Sequence, residues 1–210
     1  MPRSTAARAD RDRPTYHHGN LREALITAGL ELTRTGGPDA LSLRDATRRV
    51  GVSPNAAYRH FADREALLAA IAARIQQGMA ERMRGFTSPA PAHLTPARAA
   101  LRAVGLGYIA FARREPGWFE VAFGNADAVP AVEPGAMPPP LAMLVSALDG
   151  LVAWGELDAA ARPGAEWPCW SAVHGFALLA LTGPLRGLPA TDVDAAAERT
   201  VDAIIAGLLD

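Results

Sequence analysis

The chain has 210 residues, half of them apolar, with a formal net charge of −1 and one cysteine. That length supports one or two domains and a sizeable core, while a single Cys169 excludes an internal disulfide framework and any multi-cysteine metal site. No uncharged apolar run of about 18 residues is available for a membrane span, and no signal-peptide layout opens the chain, so the expectation is a soluble cytoplasmic protein.

Charge is split along the chain. Residues 1–64 carry 11 Arg against 7 acids, and the remainder carries 10 Arg against 15 acids. A basic first third on an acidic body is the asymmetry expected where one end meets a polyanion. A GC-rich coding bias accounts for arginine in place of lysine, but not for the split in sign. Residues 1–15 hold Arg3, Arg8, Arg11 and Arg13 without an apolar period and read as a disordered basic arm. Such an arm is either a source of extra phosphate or minor-groove contacts or a plain tail.

Asn20 and Glu23 have a loose capping-box spacing, and Leu21, Ala24, Leu25, Ala28 and Leu32 then fall on one helical face until Gly36-Gly37-Pro38. Ser42 and Asp45 repeat the start signal. Gly51 stops that second helix, since glycine enters the left-handed region without side-chain cost. Ser53-Pro54 restarts a helix at once, with Ser53 read as the cap and Pro54 at a position whose N–H has no partner. Helix, glycine turn and second short helix make a helix-turn-helix. The second helix offers Asn55, Ala56, Tyr58, Arg59 and His60 near its start, the end such motifs present to a major groove.

The phrase Val52-Ser53-Pro54-x-x-x-Tyr58-Arg59-His60-Phe61-x-Asp63-Arg64-Glu65-x-Leu67, with Tyr16-His17-His18-Gly19-Asn20-Leu21-Arg22 upstream, resembles the DNA-binding unit of the TetR family of transcriptional regulators. The likeness covers roughly residues 16–70. It departs at Ala46-Thr47 and Val50, where the family usually carries a branched apolar residue then alanine, and alanine. Bulk is redistributed, and Thr47 can satisfy its hydroxyl one turn back. The resemblance implies an all-α fold of about nine helices: a helix-turn-helix domain over 16–64 and a ligand-binding and dimerisation domain over 65–210. It also implies a basic residue at Arg64 against a phosphate, with an ordinary solvated arginine as the alternative.

Asn pairs bidentately with adenine, and uncharged hydroxyls and amides mostly position a protein on phosphates. We therefore expect Asn55 and Ala56 at base edges, Tyr58 and His60 at phosphates, and Arg44 at either, with Ser53 reaching the same backbone. Tyr58 has a second reading as core, Phe61 is expected in the core, and Arg48 and Arg49 on a solvated face.

Asp63 starts a long helix with Leu67, Leu68, Ile71, Ile75 and Met79 inside, limited by Gly85 and Pro89. After a loop, Thr95-Pro96 starts another that runs to Arg113-Arg114. Its Gly105 and Gly107 mark close helix contact, room for a ligand, or drift. Pro116-Gly117 breaks the chain before a short aromatic helix with Trp118, Phe119, Val121 and Phe123. Residues 124–140 read as a long loop. Periodicity predicts helices over 141–157, about 167–182 and 192–209. The second of these is apolar all round, which calls for cover on most sides.

The pattern Trp170-x-x-x-His174-Gly175 is similar to that of a TetR subgroup named for Trp-His-Gly. The family resemblance further implies a homodimer through the last two helices, a double-stranded DNA operator and a small hydrophobic effector, with no cofactor, no metal and no membrane. Tyr108, Phe111, Trp118, Phe123, Trp154, Trp170 and His174 are the candidate effector-pocket residues, each with ordinary core as its alternative. His174 and Trp170 share a helix face, and a neutral His making one hydrogen bond is the simpler reading of His174. Cys169 and His174 diverge around their helix, which disfavours a catalytic pair. The competing overall reading is an all-α small-molecule-binding protein or enzyme without DNA binding. It needs a convergent catalytic set, and no phosphate loop, dinucleotide fingerprint, serine elbow or zinc-protease motif occurs.

Overall fold

The structure, a computed structural model, describes residues 21–124 and 137–209. The arm at 1–15, the Asn20 cap and most of the 124–140 loop therefore lie outside the described residues. All regular structure among those described is helical: α1 Leu21–Gly36, α2 Leu43–Val50, α3 Pro54–Tyr58, α4 Arg64–Arg84, α5 Pro96–Arg114, α6 Pro116–Phe123, α7 Pro139–Ala153, α8 Glu166–Leu181 and α9 Ala190–Leu209. None of them is long and apolar enough to cross a membrane.

Local chemistry sets most of the boundaries. Ser42 accepts from the Asp45 amide at 3.0 Å, Asp63 from Ala66 at 2.7 Å and Thr95 from Arg98 at 3.2 Å, so three helices start on a side-chain cap. The Ser53 cap fails: its side chain makes no cap bond, and only its carbonyl accepts, from the Ala56 amide. Proline at the first position leaves α3 with one fewer orphan amide to satisfy, and the Ser53 hydroxyl stays exposed. The helix expected over 141–157 instead spans Pro139–Ala153. Gly155 adopts φ +71° just beyond it and turns the chain so that the Glu156 amide reaches back to the Leu151 carbonyl.

One continuous apolar core runs from Leu25 in α1 to Ile205 in α9. The α4 helix carries it between the two ends, burying Leu67, Leu68, Ile71, Ile75, Met79 and Met83. The middle helix of the body is α5, which packs against α4, α6, α7, α8 and α9. Its two glycines are close-contact positions. A Cβ on Gly105 would stand 3.2 Å from Val201, and one on Gly107 would stand 3.3 Å from Phe86. By contrast α8 buries only Cys169, Val173, Phe176 and Ala177, leaving Trp167, Leu178 and Leu179 exposed.

Candidate nucleic-acid interface and effector cavity

The helix-turn-helix is rooted by small and aromatic side chains. Gly51 sits at φ +78°, and its amide and that of Val52 both bond the Thr47 carbonyl at 2.9 and 3.0 Å. Ala46, Thr47 and Val50 are buried where the chain departs from the family's usual residues, and the Thr47 hydroxyl donates to the Arg44 carbonyl at 2.9 Å. Ala57 and Phe61 are buried, and the Arg22 guanidinium lies over the Phe61 ring at 5.3 Å. With those residues holding α3 down, its other side is turned out. Ser53, Asn55, Tyr58 and His60 are exposed, Ala56 is half-buried and Arg44 on α2 is exposed. Tyr58 is 57% exposed, which removes its reading as core. Arg48 and Arg49 are solvated, as expected, and pair with Asp45 and Glu31.

Arg64 also has a structural task. Its Nε donates to the Leu41 carbonyl at 2.9 Å and its Nη2 to the Pro38 carbonyl at 2.5 Å, while Nη1 meets Glu65. The guanidinium ties the start of α4 to the segment between α1 and α2 through two of its nitrogens, while its remaining N–H donors stay partly exposed.

A second cluster joins this front unit to the body. Glu115, just ahead of α6, is buried and accepts from Arg34 of α1 through both carboxylate oxygens at 2.8 Å, and from Arg82 of α4 at 3.1 Å. The hydrogen bonds from Arg34 hold its carboxyl below the ordinary value, against the opposing push of burial. Both guanidiniums also lie over the Trp118 ring, at 5.1 and 5.2 Å, and the Trp118 indole N–H donates to the Leu30 carbonyl at 2.9 Å. Gly117 lets the helices approach: a Cβ there would stand 2.5 Å from the Thr33 and Arg34 carbonyl oxygens. Trp118 is thus a seam residue and not a pocket wall. Phe111, under Arg82 at 5.5 Å, belongs to the same seam. Nothing in the local sequence singles out Glu115, because its main partner is 81 residues away. The acid ahead of a Pro-Gly helix start was its one available signal.

Behind the seam lies an aromatic layer of Tyr108, Phe119, Phe123, Trp170 and His174. The Tyr108 ring is 5.7 Å from both Phe119 and Phe123 and 5.0 Å from Trp170, and Trp170 stacks on His174 at 11°. The Tyr108 hydroxyl and His174 Nδ1 are hydrogen-bonded at 2.9 Å, in line with the one-bond reading of His174. Burial raises the phenol and lowers the imidazole, so both groups are neutral at pH 7. Burial also pushes the Cys169 thiol up to about 11, far from a nucleophile.

Two spaces flank the layer. On one side Tyr108 and Trp170, with Gly105, Leu144, Val173 and Ile204, enclose an apolar cavity of about 20 Å³, room for roughly one water. On the other, Phe119, Phe123 and His174 face a cleft of about 430 Å³ that reaches Thr35–Gly37 and Leu178–Thr182. Four of the seven expected pocket residues therefore come together. Phe111 and Trp118 went to the seam, and Trp154, 61% exposed, lies on an outer groove with Met143 and Gly150. No group of His, Cys, Asp and Glu suited to a metal is present among the described residues.

Residues 25–71 match the family model described as bacterial regulatory proteins of the tetR family, and residues 101–204 match that of the tetracyclin repressor-like C-terminal domain. Comparison with curated proteins gives no match. Among solved structures, a Rhodococcus sp. RHA1 protein of unknown function is 28% identical with a TM-score of 0.69, covering 94% of this chain and all of its own. A TetR variant from Acinetobacter baumannii AYE, solved in complex with minocycline, is 24% identical with a TM-score of 0.61, covering 87% of this chain and 93% of its own. A TetR regulator from Streptomyces coelicolor is 19% identical with a TM-score of 0.65, covering 90% and 97%.

Proposed function

Because the chain belongs to the TetR family of bacterial transcriptional regulators, we propose that it binds a palindromic operator as a homodimer, acts as a repressor, and is released by a small hydrophobic effector. The observation that carries this reading is α3. Ala57 and Phe61 anchor it while Ser53, Asn55, Tyr58 and His60 stand in solvent. In the complex Asn55 and Ala56 read base edges, Ser53, Tyr58 and His60 hold phosphates, and Arg44 reaches either. Arg64, two of whose nitrogens are tied to the Pro38 and Leu41 carbonyls, keeps free N–H donors for a phosphate.

Two α3 helices must enter successive major grooves, about 34–36 Å apart, which requires a partner subunit. Pairing through α8 and α9 is supported by the apolar strip of Trp167, Leu178 and Leu179 and by Gly175 and Gly207, where an added Cβ would meet open space. Smooth glycine positions let a second helix come close.

The effector would act through α6. One face of that helix supplies Phe119 and Phe123 to the aromatic layer, and its start supplies Glu115 and Gly117 to the seam with α1. The 20 Å³ cavity is far below the usual size of a ligand pocket, about 300–1,000 Å³. An effector entering there must move the walls, Tyr108 and Trp170 among them, and both rings pack against Phe123 of α6. Release needs a difference in affinity between the two arrangements, typically 1–3 kcal/mol.

Footprinting on the DNA flanking its own gene, across a salt series and with candidate hydrophobic compounds, tests the reading. A protected palindrome with a steep salt slope is expected, lost when the effector is added. A preparation that stays monomeric and ignores duplex DNA at low salt overturns it.

A further inference from the structure

We propose that the turn at residues 37–41, between α1 and α2, positions Arg64 for an operator phosphate and hands any displacement of α6 to that contact directly, without a rotation of α4. The inference rests on the function proposed above and names the route by which an effector would reach the DNA contacts.

Arg64 stands in the first turn of α4, just after the exposed Tyr58. Its Nε donates to the Leu41 carbonyl at 2.9 Å and its Nη2 to the Pro38 carbonyl at 2.5 Å. Two bonds to two carbonyls fix the plane of the guanidinium fork. The rotamer freedom that an arginine gives up on meeting a phosphate is therefore already gone. The side chain is 33% exposed, so its remaining N–H groups are open to a ligand. Its ion pair with the exposed Glu65 is a weak competitor.

The same turn lies against α6. Gly37 is buried at φ +62° and ψ −162°, a region open essentially to glycine alone. The space a Cβ would take there is held by Glu120 of α6, with Oε2 2.5 Å from that position. Gly117 brings the start of α6 onto the last turn of α1, where a Cβ would stand 2.5 Å from the Thr33 carbonyl oxygen. That carbonyl in turn accepts the Gly37 amide at 3.0 Å. The turn is stiff, because the Leu41 amide closes on the Pro38 carbonyl at 3.1 Å and the Leu41 side chain is buried. So Gly37 touches α6, and the next residue along holds Arg64.

The α6 helix also meets α4, through Gln76 Nε2 donating to the Ala122 carbonyl at 3.2 Å and through Arg82 and Glu115 at 3.1 Å. Those contacts are roughly 18 and 27 Å from Arg64 along the helix axis. A shift entering there must turn a long helix before the guanidinium moves. A shift entering at Gly37 moves the carbonyl on which the guanidinium is anchored.

The test is a double-mutant cycle on the full-length protein, with the operator defined by footprinting and affinities measured across a salt series. Arg64→Gln should weaken binding about 10- to 100-fold in the dimer and lower the salt slope by about two, close to one per phosphate lost. Gly117→Ala pushes α6 off the end of α1 and should weaken binding about 5- to 10-fold, also with a lower slope; in the Arg64→Gln background it should cause no further loss. Arg64→Lys keeps a charge for the phosphate but lacks the planar fork that spans two carbonyls. It should retain the salt slope and no longer respond to Gly117→Ala. If Gly117→Ala does not fold, Trp118→Phe repeats the cycle, since it deletes only the indole N–H bonded to the Leu30 carbonyl of α1. Losses that combine additively to within about 2-fold, an unchanged salt slope in Arg64→Gln, or an Arg64→Lys variant as sensitive to Gly117→Ala as the wild type overturns the proposal and returns the route to α4. A wild type that binds no DNA removes the regulator and this route together, whereas DNA binding with additive losses removes the route alone.

Discussion

The front unit and the aromatic layer use their side chains in opposite directions. In α2 and α3 the small residues Ala46, Thr47 and Ala57 fill the inside, and the polar side chains of Asn55, Tyr58 and His60 face out. In the body the polar groups Tyr108 and His174 face each other inside, and the large rings around them leave unfilled space on both sides. A surface that must match a rigid duplex is best carried by a packed scaffold, whereas a site that must respond to a ligand needs room and movable walls. The seam at Glu115 and Gly117 is where the packed region meets the loose one.

The largest expected effect separates root from face within the front unit. Phe61→Ala should cost about 3–5 kcal/mol of stability, as for a buried aromatic emptied to alanine. Tyr58→Ala, three residues earlier, should change stability by no more than about 0.5 kcal/mol while weakening operator binding. Denaturant melts and gel shifts on both variants check the pair. A large stability loss in Tyr58→Ala would collapse the distinction. Asn55→Ala sharpens it further, with an expected affinity loss of about 1–3 kcal/mol that depends on operator sequence.

The seam comes next. Gly117→Ala forces a Cβ against two backbone carbonyl oxygens, which cannot swing away as a side-chain tip can. Roughly 1–3 kcal/mol of destabilisation is expected. Gly150→Ala on α7 meets open space and should be stabilising by up to about 1 kcal/mol. If the two variants melt alike, the close approach of α6 to α1 is not what joins the regions.

How much of this was legible beforehand follows the same division. Ser42, Gly51, Asp63, Thr95 and Phe61 could be read directly, because caps, left-handed turns and helical faces are local chemistry. Residues whose role is fixed by distant partners could not. The bonds of Arg64 to the Pro38 and Leu41 carbonyls, 26 and 23 residues away, left no mark in its local sequence. Trp118 and Phe111 had the composition of a pocket wall but pack under Arg34 and Arg82. Trp154 has the same apolar ring and faces solvent. Aromatic residues on helices carry no label saying which neighbour they will meet, so the four that share the aromatic layer could be named but not told apart from the other three.

The smallest expected effect is a pH dependence that divides along the same line. His174 has its pKa lowered from the ordinary 6.5 by burial. Below that value the unfolded chain takes up a proton that the folded one refuses, so stability falls as pH drops from about 6.5 toward the folded value. Glu115 is also lowered, from 4.5, chiefly by its hydrogen bonds to Arg34. Its contribution is complete above 4.5 and is lost as pH falls through the folded value. Both act in the same direction but in separate windows, the upper one from the aromatic layer and the lower one including the seam. His174→Gln should flatten the melting-temperature profile just below pH 6.5 and leave the steeper acid fall below pH 4.5. Glu115→Gln should lessen that acid fall, which other carboxylates share, and leave the upper window intact. Asp45, held low by its Ser42 hydrogen bond, adds to the acid window from the front unit. Substituting either residue therefore reports on one region at a time, and a profile in which His174→Gln removed the acid fall as well would mean that the layer and the seam unfold as one coupled unit.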